Sequence, residues 1–256
     1  MSVRTVQLVL HYDGGAFAGW QVQPERRTVQ GELERVLATL CSQRIVAQGA
    51  GRTDAGVHAS GQVVGVQVPE KWQPAALRRA VNALLPDDVW VAAAHEMRPE
   101  FHARYSATGR RYAYHVGTDD SALSPFRRSW EWYVARPIDR VALDAAAAHV
   151  LGRHQFLAFA VRGTAPDRDD HTCEISRAEW SAREQGLVFH VEANRFLHHM
   201  VRFLVGTMVD IASGRRPVED MPRLLAATTN DDVSPPAPAH ALFLESVTYP
   251  ADLYLG

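Results

Sequence analysis

The sequence of 256 residues contains only two cysteines, Cys41 and Cys173, and they lie far apart. Two distant cysteines form neither a disulfide framework nor the closely spaced pairs of a zinc site, so we expect a reducing environment. Long apolar runs are also lacking, since none approaches the roughly 18 residues that a membrane-spanning helix needs. The N-terminus shows no signal-peptide pattern. We therefore expect a cytoplasmic protein that has no membrane partner.

The chain also lacks a large excess of positive or negative charge. Its 27 lysines and arginines nearly balance 29 aspartates and glutamates, which gives a net charge of −2. Almost all of the positive charge is arginine, and Lys71 is the exception. A chain with this balance binds a polyanion only through basic residues gathered on one face. We expect such a surface to include the arginines Arg52, Arg110, Arg111, Arg127 and Arg128, with Arg215 and Arg216 lying elsewhere.

Apolar periodicity predicts alternating strands and helices in the first half of the chain. Strands are predicted over Val3 to Tyr12, Gln62 to Val68 and Val89 to Ala93. Helices are predicted from the capping residue Thr28 to about Leu40, and from Pro74 to Pro86. This βαβαβ order is typical of a sheet covered by helices.

The second half is predicted to repeat this layout without repeating the sequence. Its strands are predicted over Arg111 to Val116, Trp130 to Val134, Cys173 to Trp180, Leu187 to Asn194 and Ala241 to Thr248. Its helices are predicted over Val141 to Leu151, after the capping residue Asp139, over Arg195 to Ser213, the longest, and over Asp220 to Ala227. A charged loop is predicted over residues 161–172.

Residues 50–59 bring a guanidinium, a hydroxyl, a carboxylate and an imidazole together with two glycines. This composition predicts a tight loop that leads into a strand, with Asp54 at its apex. Gly51 and Gly56 permit a positive φ and the close approach of another backbone. Arg52 either pairs with the carboxylate or reaches an anion outside the protein. A plain Asx turn with a surface arginine accounts for the same residues without any function.

Motifs along nearly the whole chain resemble, in the same order, those of the tRNA pseudouridine synthase A family. The active-site signature of that family is matched by Arg52 to His58 followed by Gly61 to Val64. Tyr12 to Gly14 and Phe17 to Gln21 match the first strand and loop of that family, and Val29 to Leu33 match its first helix. Phe101 to Ala107 and Arg110 to Tyr114 match its domain junction. Asn194 to Arg202 and Gly206 match its long C-terminal helix.

The resemblance implies an α/β (α+β) fold of two similar domains, with residues 1–104 carrying the catalytic aspartate loop and residues 105–256 forming the second domain. Their mostly antiparallel sheets are expected to run together, with helices on one face and a central active-site cleft. The implied activity is the isomerisation of uridine to pseudouridine in tRNA, in the anticodon stem-loop. The family also implies a homodimer that binds tRNA, without any cofactor.

The same resemblance assigns three catalytic residues. Asp54 is the implied catalytic carboxylate, and attack on the sugar C1′, attack on the base C6 and removal of a proton from C2′ all remain open. Arg202 is implied to pair with that carboxylate, although an arginine beside an apolar stripe also fits a helix surface. Tyr112 is implied to stack on a flipped-out uridine, although its strand pattern also fits a core tyrosine.

Further substrate contacts are expected from Arg52, His58, Arg110 and Arg111, and from Phe243 and Leu244 as an apolar wall against the base. A plain core strand explains Phe243 and Leu244 equally well. The adjacent residues His198 and His199 invite a metal site. Neighbours on a helix point about 100° apart and face one ion poorly, so we expect no metal.

Two other functions remain open. The first is an RNA-binding module that has kept this fold without catalysis, in which Asp54 and Arg202 would not be needed. The second is a glycoside hydrolase, which would need a second carboxylate close to Asp54. Formation of pseudouridine in tRNA separates the expected isomerase from both.

Overall fold

The computed structural model describes residues 2–164 and 171–255, so part of the charged loop predicted over residues 161–172 lies outside the described residues. The described chain forms two compact units: Met1–Gly109 with Phe243–Gly256, and Arg110–Leu242. The predicted mixed α/β class with mostly antiparallel strands is confirmed. The predicted domain division after residue 104 stays a prediction. Among the described residues, no helix combines the length and apolarity that crossing a membrane requires.

The secondary structure divides into ten strands and five α-helices within the described ranges. The strands are β1 (Val3–Tyr12), β2 (Gln48–Gly49), β3 (His58–Pro69), β4 (Val89–Met97), β5 (Gly109–Gly117), β6 (Trp132–Tyr133), β7 (Gly152–Gln155), β8 (Thr172–Arg183), β9 (Gly186–Ala193) and β10 (Leu242–Thr248). The helices are α1 (Val29–Cys41), α2 (Pro74–Asn82), α3 (Arg140–Ala148), α4 (Met200–Ala212) and α5 (Asp220–Leu225).

In the first unit, β1 lies between β3 and β4 and is antiparallel to both. The other edge of β3 pairs with two short segments: β2 runs antiparallel to it, and β10 runs parallel to it, with Phe243 opposite His58. Apolar residues of β1 and α1 are completely buried, among them Leu8, Leu10 and Leu33. The alternating pattern of β1 and the apolar stripe of α1 therefore face a common interior.

The ends of the two helices in this unit follow from side-chain chemistry. The hydroxyl of Thr28 accepts a hydrogen bond from the backbone N–H of Gly31, as an N-cap does, so the predicted start of α1 is confirmed. Helix α2 begins at Pro74 as predicted but ends at Asn82, before the predicted Pro86. The side-chain amide of Asn82 donates to the carbonyl of Val91 and accepts from its N–H, which ties this end of α2 to β4.

In the second unit, the strands lie in the order β5, β9, β8 and β7, and each pair of neighbours is antiparallel. A hairpin joins β8 to β9, which contain two of the predicted strands, and Gly186 has a positive φ of +146°. A side chain at Gly186 would lie 2.1 Å from the carbonyl oxygen of Val116, so glycine is needed there. The predicted strand over Trp130 to Val134 is reduced to the two residues of β6.

Helix α4 begins at Met200, so the prediction of a helix from Arg195 is wrong, and α4 is only as long as α1. His199 has a φ of +62°, in the left-handed region that a right-handed helix cannot include. His198 and His199 therefore lie in a turn before the helix, where their rings are 4.1 Å apart between centroids. The helical spacing used above to argue against a metal does not apply to a turn, and the absence of a metal stays a prediction.

Candidate active site

The Asp54 loop leads into the strand β3, as the sequence predicts, and follows β2, which was not predicted. The backbone N–H of Val57 donates to the carbonyl of Asp54 over 3.1 Å, which closes a turn in which Gly56 has a φ of +80°. Arg52 is exposed and Asp54 is half-buried, whereas Thr53 between them is buried. The alternation presents a cation and a carboxylate at the surface while the hydroxyl anchors the loop in the interior.

Hydrogen bonds from three neutral groups hold Thr53 and the nearby Gly51 to Trp20 and to the strands β1 and β3. The Thr53 hydroxyl is 2.8 Å from the hydroxyl of Tyr12, and the Gln62 amide donates to the carbonyl of Gly51 over 2.9 Å. The backbone N–H of Trp20 donates to the carbonyl of Thr53. Burial raises the pKa of Tyr12 to about 12, so its hydroxyl is neutral at any physiological pH. The network is therefore built from hydrogen bonds between uncharged groups.

A second loop, residues 13–21, presses directly on the Asp54 loop. A side chain at Gly14 would lie 2.0 Å from the carbonyl oxygen of Val57, and one at Gly19 would lie 2.7 Å from that of Thr53. Gly19 also has a φ of +96°. Because backbone meets backbone at both points, neither position accommodates a Cβ atom without displacing the loops.

His58 directly follows the loop and is only 1% exposed. Its Nδ1 accepts the backbone N–H of Gly14 over 3.0 Å and lies 3.1 Å from an oxygen of Asp13. Its ring stacks on that of Phe243, with centroids 4.7 Å apart and planes 19° apart. The structure thus places His58 in the interior of the first unit, and its predicted contact with substrate stays a prediction.

Phe243 and Leu244 take different positions on β10. Phe243 is half-buried, whereas Leu244 is 1% exposed. Consecutive residues of a strand point to opposite faces, so these two side chains do not line the same surface. Leu244 fits the plain core-strand alternative that the sequence left open, and a wall against a bound base would have to come from Phe243.

In the second unit, Tyr112 lies on β5 and is 9% exposed, with its ring edge-on to that of Phe196 at 5.1 Å. Strand alternation places Arg110 on the same face as Tyr112 and Arg111 on the other face, and both arginines are half-buried. Arg110 donates to the carbonyl of Asn194 over 2.7 Å. The predicted Arg-Arg-Tyr motif thus divides between two faces of one strand.

Arg202 lies on the first turn of α4 and is half-buried. Its Nε donates to the carbonyl of Ala237 over 2.7 Å, and its own carbonyl accepts the N–H of Ala237 over 2.9 Å. Burial raises the pKa of Tyr114 well above its ordinary value, and the positive charge of Arg202 opposes that shift. Arg202 is therefore fixed to the proline-rich segment after α5, with a buried tyrosine close by.

Arg127 and Arg128 were predicted to lie on the RNA-binding surface, and Arg215 and Arg216 were predicted to lie elsewhere. The two members of the first pair differ in their contacts. Arg127 forms ion pairs with Asp119 and with the buried Glu131, whereas Arg128 is exposed. Arg215 pairs with Asp210, and Arg216 pairs with Asp220. Arg127 is thus occupied within the protein, which weakens its case as a phosphate contact.

Sequence reasoning missed the supporting residues Tyr12, Thr53 and Gln62. A signal for Tyr12 was available, because it follows Leu8 and Leu10 on the buried face of β1. A tyrosine in that position must bury its hydroxyl and needs a partner for it. The partner, Thr53, comes from a loop 41 residues away, and no local pattern identifies it.

Comparisons with known proteins identify the family of this chain. Residues 8–106 and 146–250 match the family described as tRNA pseudouridine synthase. This chain belongs to that family. The first matched segment contains the whole Asp54 loop and the loop that presses on it, and the second contains Arg202 and β10.

Curated relatives in this family match the chain over nearly its full length. A tRNA pseudouridine synthase A from Moorella thermoacetica is 40% identical over 251 residues, which cover 95% of this chain and 99% of the relative. One from Chlorobium luteolum is 40% identical over 98% of this chain and 97% of the relative. Among solved structures, a mutant chlorite dismutase from Candidatus Nitrospira defluvii covers 88% of this chain and 96% of its own at 10% identity and a TM-score of 0.21, too low to support any argument.

Proposed function

We propose that this protein is a tRNA pseudouridine synthase that isomerises uridine in the anticodon stem-loop of tRNA, with Asp54 as the catalytic carboxylate. The observation that carries the proposal is the construction of the Asp54 loop. Its anchoring residues are buried and neutral, and it presents Asp54 half-exposed at the apex. Membership in the family of tRNA pseudouridine synthases supports the choice of substrate.

The reaction breaks the bond between C1′ and N1 of uridine and forms a bond between C1′ and C5. The base rotates between the two steps, C5 loses its proton, and N1 gains one, so no electrons are gained or lost overall. A carboxylate suffices as the nucleophile or base, and we propose that no cofactor takes part. Water must be kept from the reactive sugar while the base turns, which requires a closed site.

Tyr112 and Arg202 are proposed to complete the catalytic set. Tyr112 offers a ring for stacking a flipped-out uridine and a hydroxyl for proton transfer. Its edge-on contact with Phe196 supports a defined ring orientation. Arg202 carries a guanidinium suited to pairing with a carboxylate, and its bond to Ala237 supports a fixed side-chain direction. Its pairing with Asp54 stays a prediction.

Phosphate contacts are proposed for Arg52, Arg110 and Arg111, which all carry a charge suited to the tRNA backbone. Among them Arg52 is the most exposed and lies two residues from Asp54, which supports the proposal that it binds RNA beside the target uridine. We also propose a cytoplasmic protein, as the scarcity of cysteine favours, and a homodimer, as the family resemblance implies. A light-scattering mass in solution would test the homodimer.

The test is incubation of the purified protein with an unmodified tRNA transcript, followed by carbodiimide labelling and mass-spectrometric mapping of the product. We expect pseudouridine in the anticodon stem-loop. Binding without conversion would instead support the RNA-binding module. Release of free uracil from the tRNA would support a glycoside hydrolase.

A further inference from the structure

The imidazole of His58 lies beneath the Asp54 loop, and two of its contacts involve Nδ1. A backbone N–H can only donate, so the Nδ1 atom that accepts the N–H of Gly14 carries a lone pair. In a ring that keeps this lone pair, the proton is on Nε2. The oxygen of Asp13 that lies 3.1 Å from Nδ1 also accepts the N–H of Gly15. A protonated Nδ1 would donate to this oxygen and could not accept from Gly14, so the two contacts of Nδ1 correspond to two different proton positions.

This single acceptor sits at the start of a chain of contacts that ends at Asp54. Gly14 is held by His58 and presses on the carbonyl of Val57, where even a Cβ atom would lie 2.0 Å away. The N–H of Gly56 reaches back to the carbonyl of Phe17 over 3.4 Å, a long contact. Val57 in turn closes the turn at Asp54. Moving Gly14 would therefore move the turn that aims the carboxylate.

A face of the imidazole is in contact as well. Phe243 on β10 pairs with His58 in register and stacks on its ring. The imidazole is thus located both by an aromatic face and by a hydrogen bond that runs along its edge. These two restraints are chemically separable, because one needs a flat ring and the other needs an acceptor at the δ position.

We propose that His58 is a positioning residue for the isomerisation, which acts through Gly14 and does not contact RNA. Its Nδ1, as an acceptor, fixes the first part of the 13–21 loop, residues 13–17, against Gly56 and Val57. This contact sets the direction of the Asp54 carboxylate. The proposal rests on the function proposed above, and it replaces the predicted substrate contact of His58.

Two variants separate the acceptor from the ring. His58→Asn places its amide oxygen where Nδ1 was and removes the ring, whereas His58→Phe keeps the stack on Phe243 and removes the acceptor. We expect single-turnover rates within about tenfold of wild type for His58→Asn and about a hundredfold lower for His58→Phe, the effect of a displacement of about 1 Å. The tRNA dissociation constant should change by less than about twofold in both, since phosphate contacts dominate affinity.

His95→Phe is the matched control, because His95 is exposed on β4 and its ring lies edge-on to that of Tyr254. Its rate should equal that of wild type. Equal rates for His58→Asn and His58→Phe would overturn the proposal, and so would a loss of tRNA affinity with the rate retained, which would indicate a substrate contact. A wild-type protein that makes no pseudouridine would instead contradict the proposed function.

A second measurement needs neither turnover nor a folded variant. Long-range ¹H–¹⁵N correlation spectra of the wild-type protein distinguish a protonated from an unprotonated ring nitrogen. We expect the Nδ1 of His58 to have the chemical shift of an unprotonated acceptor at neutral pH, with the proton on Nε2. A protonated Nδ1 would overturn the proposal, whatever the kinetic result.

Discussion

Two loops of this protein are fixed in opposite ways. The Asp54 loop is anchored by the neutral groups of Tyr12, Thr53 and Gln62, and its charged side chains lie toward the surface. The segment of residues 119–131 is anchored by Glu131, a carboxylate that is 2% exposed and pairs with Arg127 and Arg183. The anchoring groups of the first loop are uncharged, whereas a buried carboxylate holds the second.

The difference shows why adjacent arginines are a poor guide to an RNA surface. Arg127 and Arg128 are neighbours in sequence, yet one is bound to Asp119 and Glu131 and the other is exposed. A buried ion pair loses solvation and holds its partners tightly, so its arginine does not exchange readily to a phosphate. Exposure and ion pairing therefore decide which arginines remain candidates.

The largest expected effect on stability is in the segment of residues 119–131. Glu131→Gln leaves two guanidinium groups without their carboxylate, and the free energy of unfolding should fall by about 3 kcal/mol. The value lies low in the range for buried pairs because Arg127 and Arg183 keep partial contact with water. Denaturant unfolding measures it. Glu179→Gln removes an exposed ion pair with Arg177 and should leave stability unchanged.

Gly14→Ala should act on turnover in the loop held by neutral groups. The added Cβ would lie 2.0 Å from the carbonyl oxygen of Val57, so the Asp54 turn must move. We expect the single-turnover rate to fall by about a hundredfold. Gly51→Ala is the matched control in the same loop, because a Cβ there meets nothing within 4 Å and the rate should be unchanged. Equal rates for the two variants would show that contact between the loops does not set the aim of Asp54.

Tyr12→Phe should lower the free energy of unfolding by about 1–2 kcal/mol, because the Thr53 hydroxyl loses its buried partner. The pH dependence gives an independent check. The folded pKa of about 12 exceeds the ordinary value near 10, so this contribution to stability is complete below pH 10 and is lost as the pH rises toward 12. Unfolding curves across that range should be less pH-dependent in Tyr12→Phe. An identical pH dependence in both proteins would contradict the buried, neutral assignment.

The smallest expected effect concerns the salt dependence of tRNA binding. Arg128→Ala removes an exposed charge, so the slope of log affinity against log salt should become shallower by about 1. Arg127→Ala should leave the slope unchanged because Arg127 is paired internally, and Arg215→Ala serves as the comparison away from that segment. A change in slope for Arg127→Ala alone would reverse the assignment of the two neighbours.

Local signals in the sequence predicted much of this fold. Thr28 and Asp139 cap the helices that they were expected to cap, Pro74 begins α2, and the alternation over Val3 to Tyr12 matches β1. Each of these depends on residues within a few positions of one another. The predicted start of α4 was wrong because the apolar spacing continues back to Phe196. The left-handed conformation of His199, which prevents a helix there, does not change that spacing.

Long-range pairings were beyond the sequence signals. Periodicity predicts a strand over Ala241 to Thr248, which the structure has as Leu242–Thr248, but it cannot show that this strand pairs with β3. In the same way, the loop residue Asp54 was found from its motif, whereas the bond between Tyr12 and Thr53 joins residues 41 positions apart. The burial of His58 and Glu131 likewise follows from tertiary packing, which no local pattern records.

The most direct test of the central claim is the single-turnover rate and tRNA dissociation constant of Asp54→Asn, measured beside wild type. Asparagine keeps the shape of the side chain and removes its charge, so the loop and its neutral anchors should persist. We expect the rate to fall by about a thousandfold or more, while the dissociation constant stays within about twofold. A rate within about tenfold of wild type would contradict the account, because it would show that the carboxylate presented by this loop is not needed for the reaction.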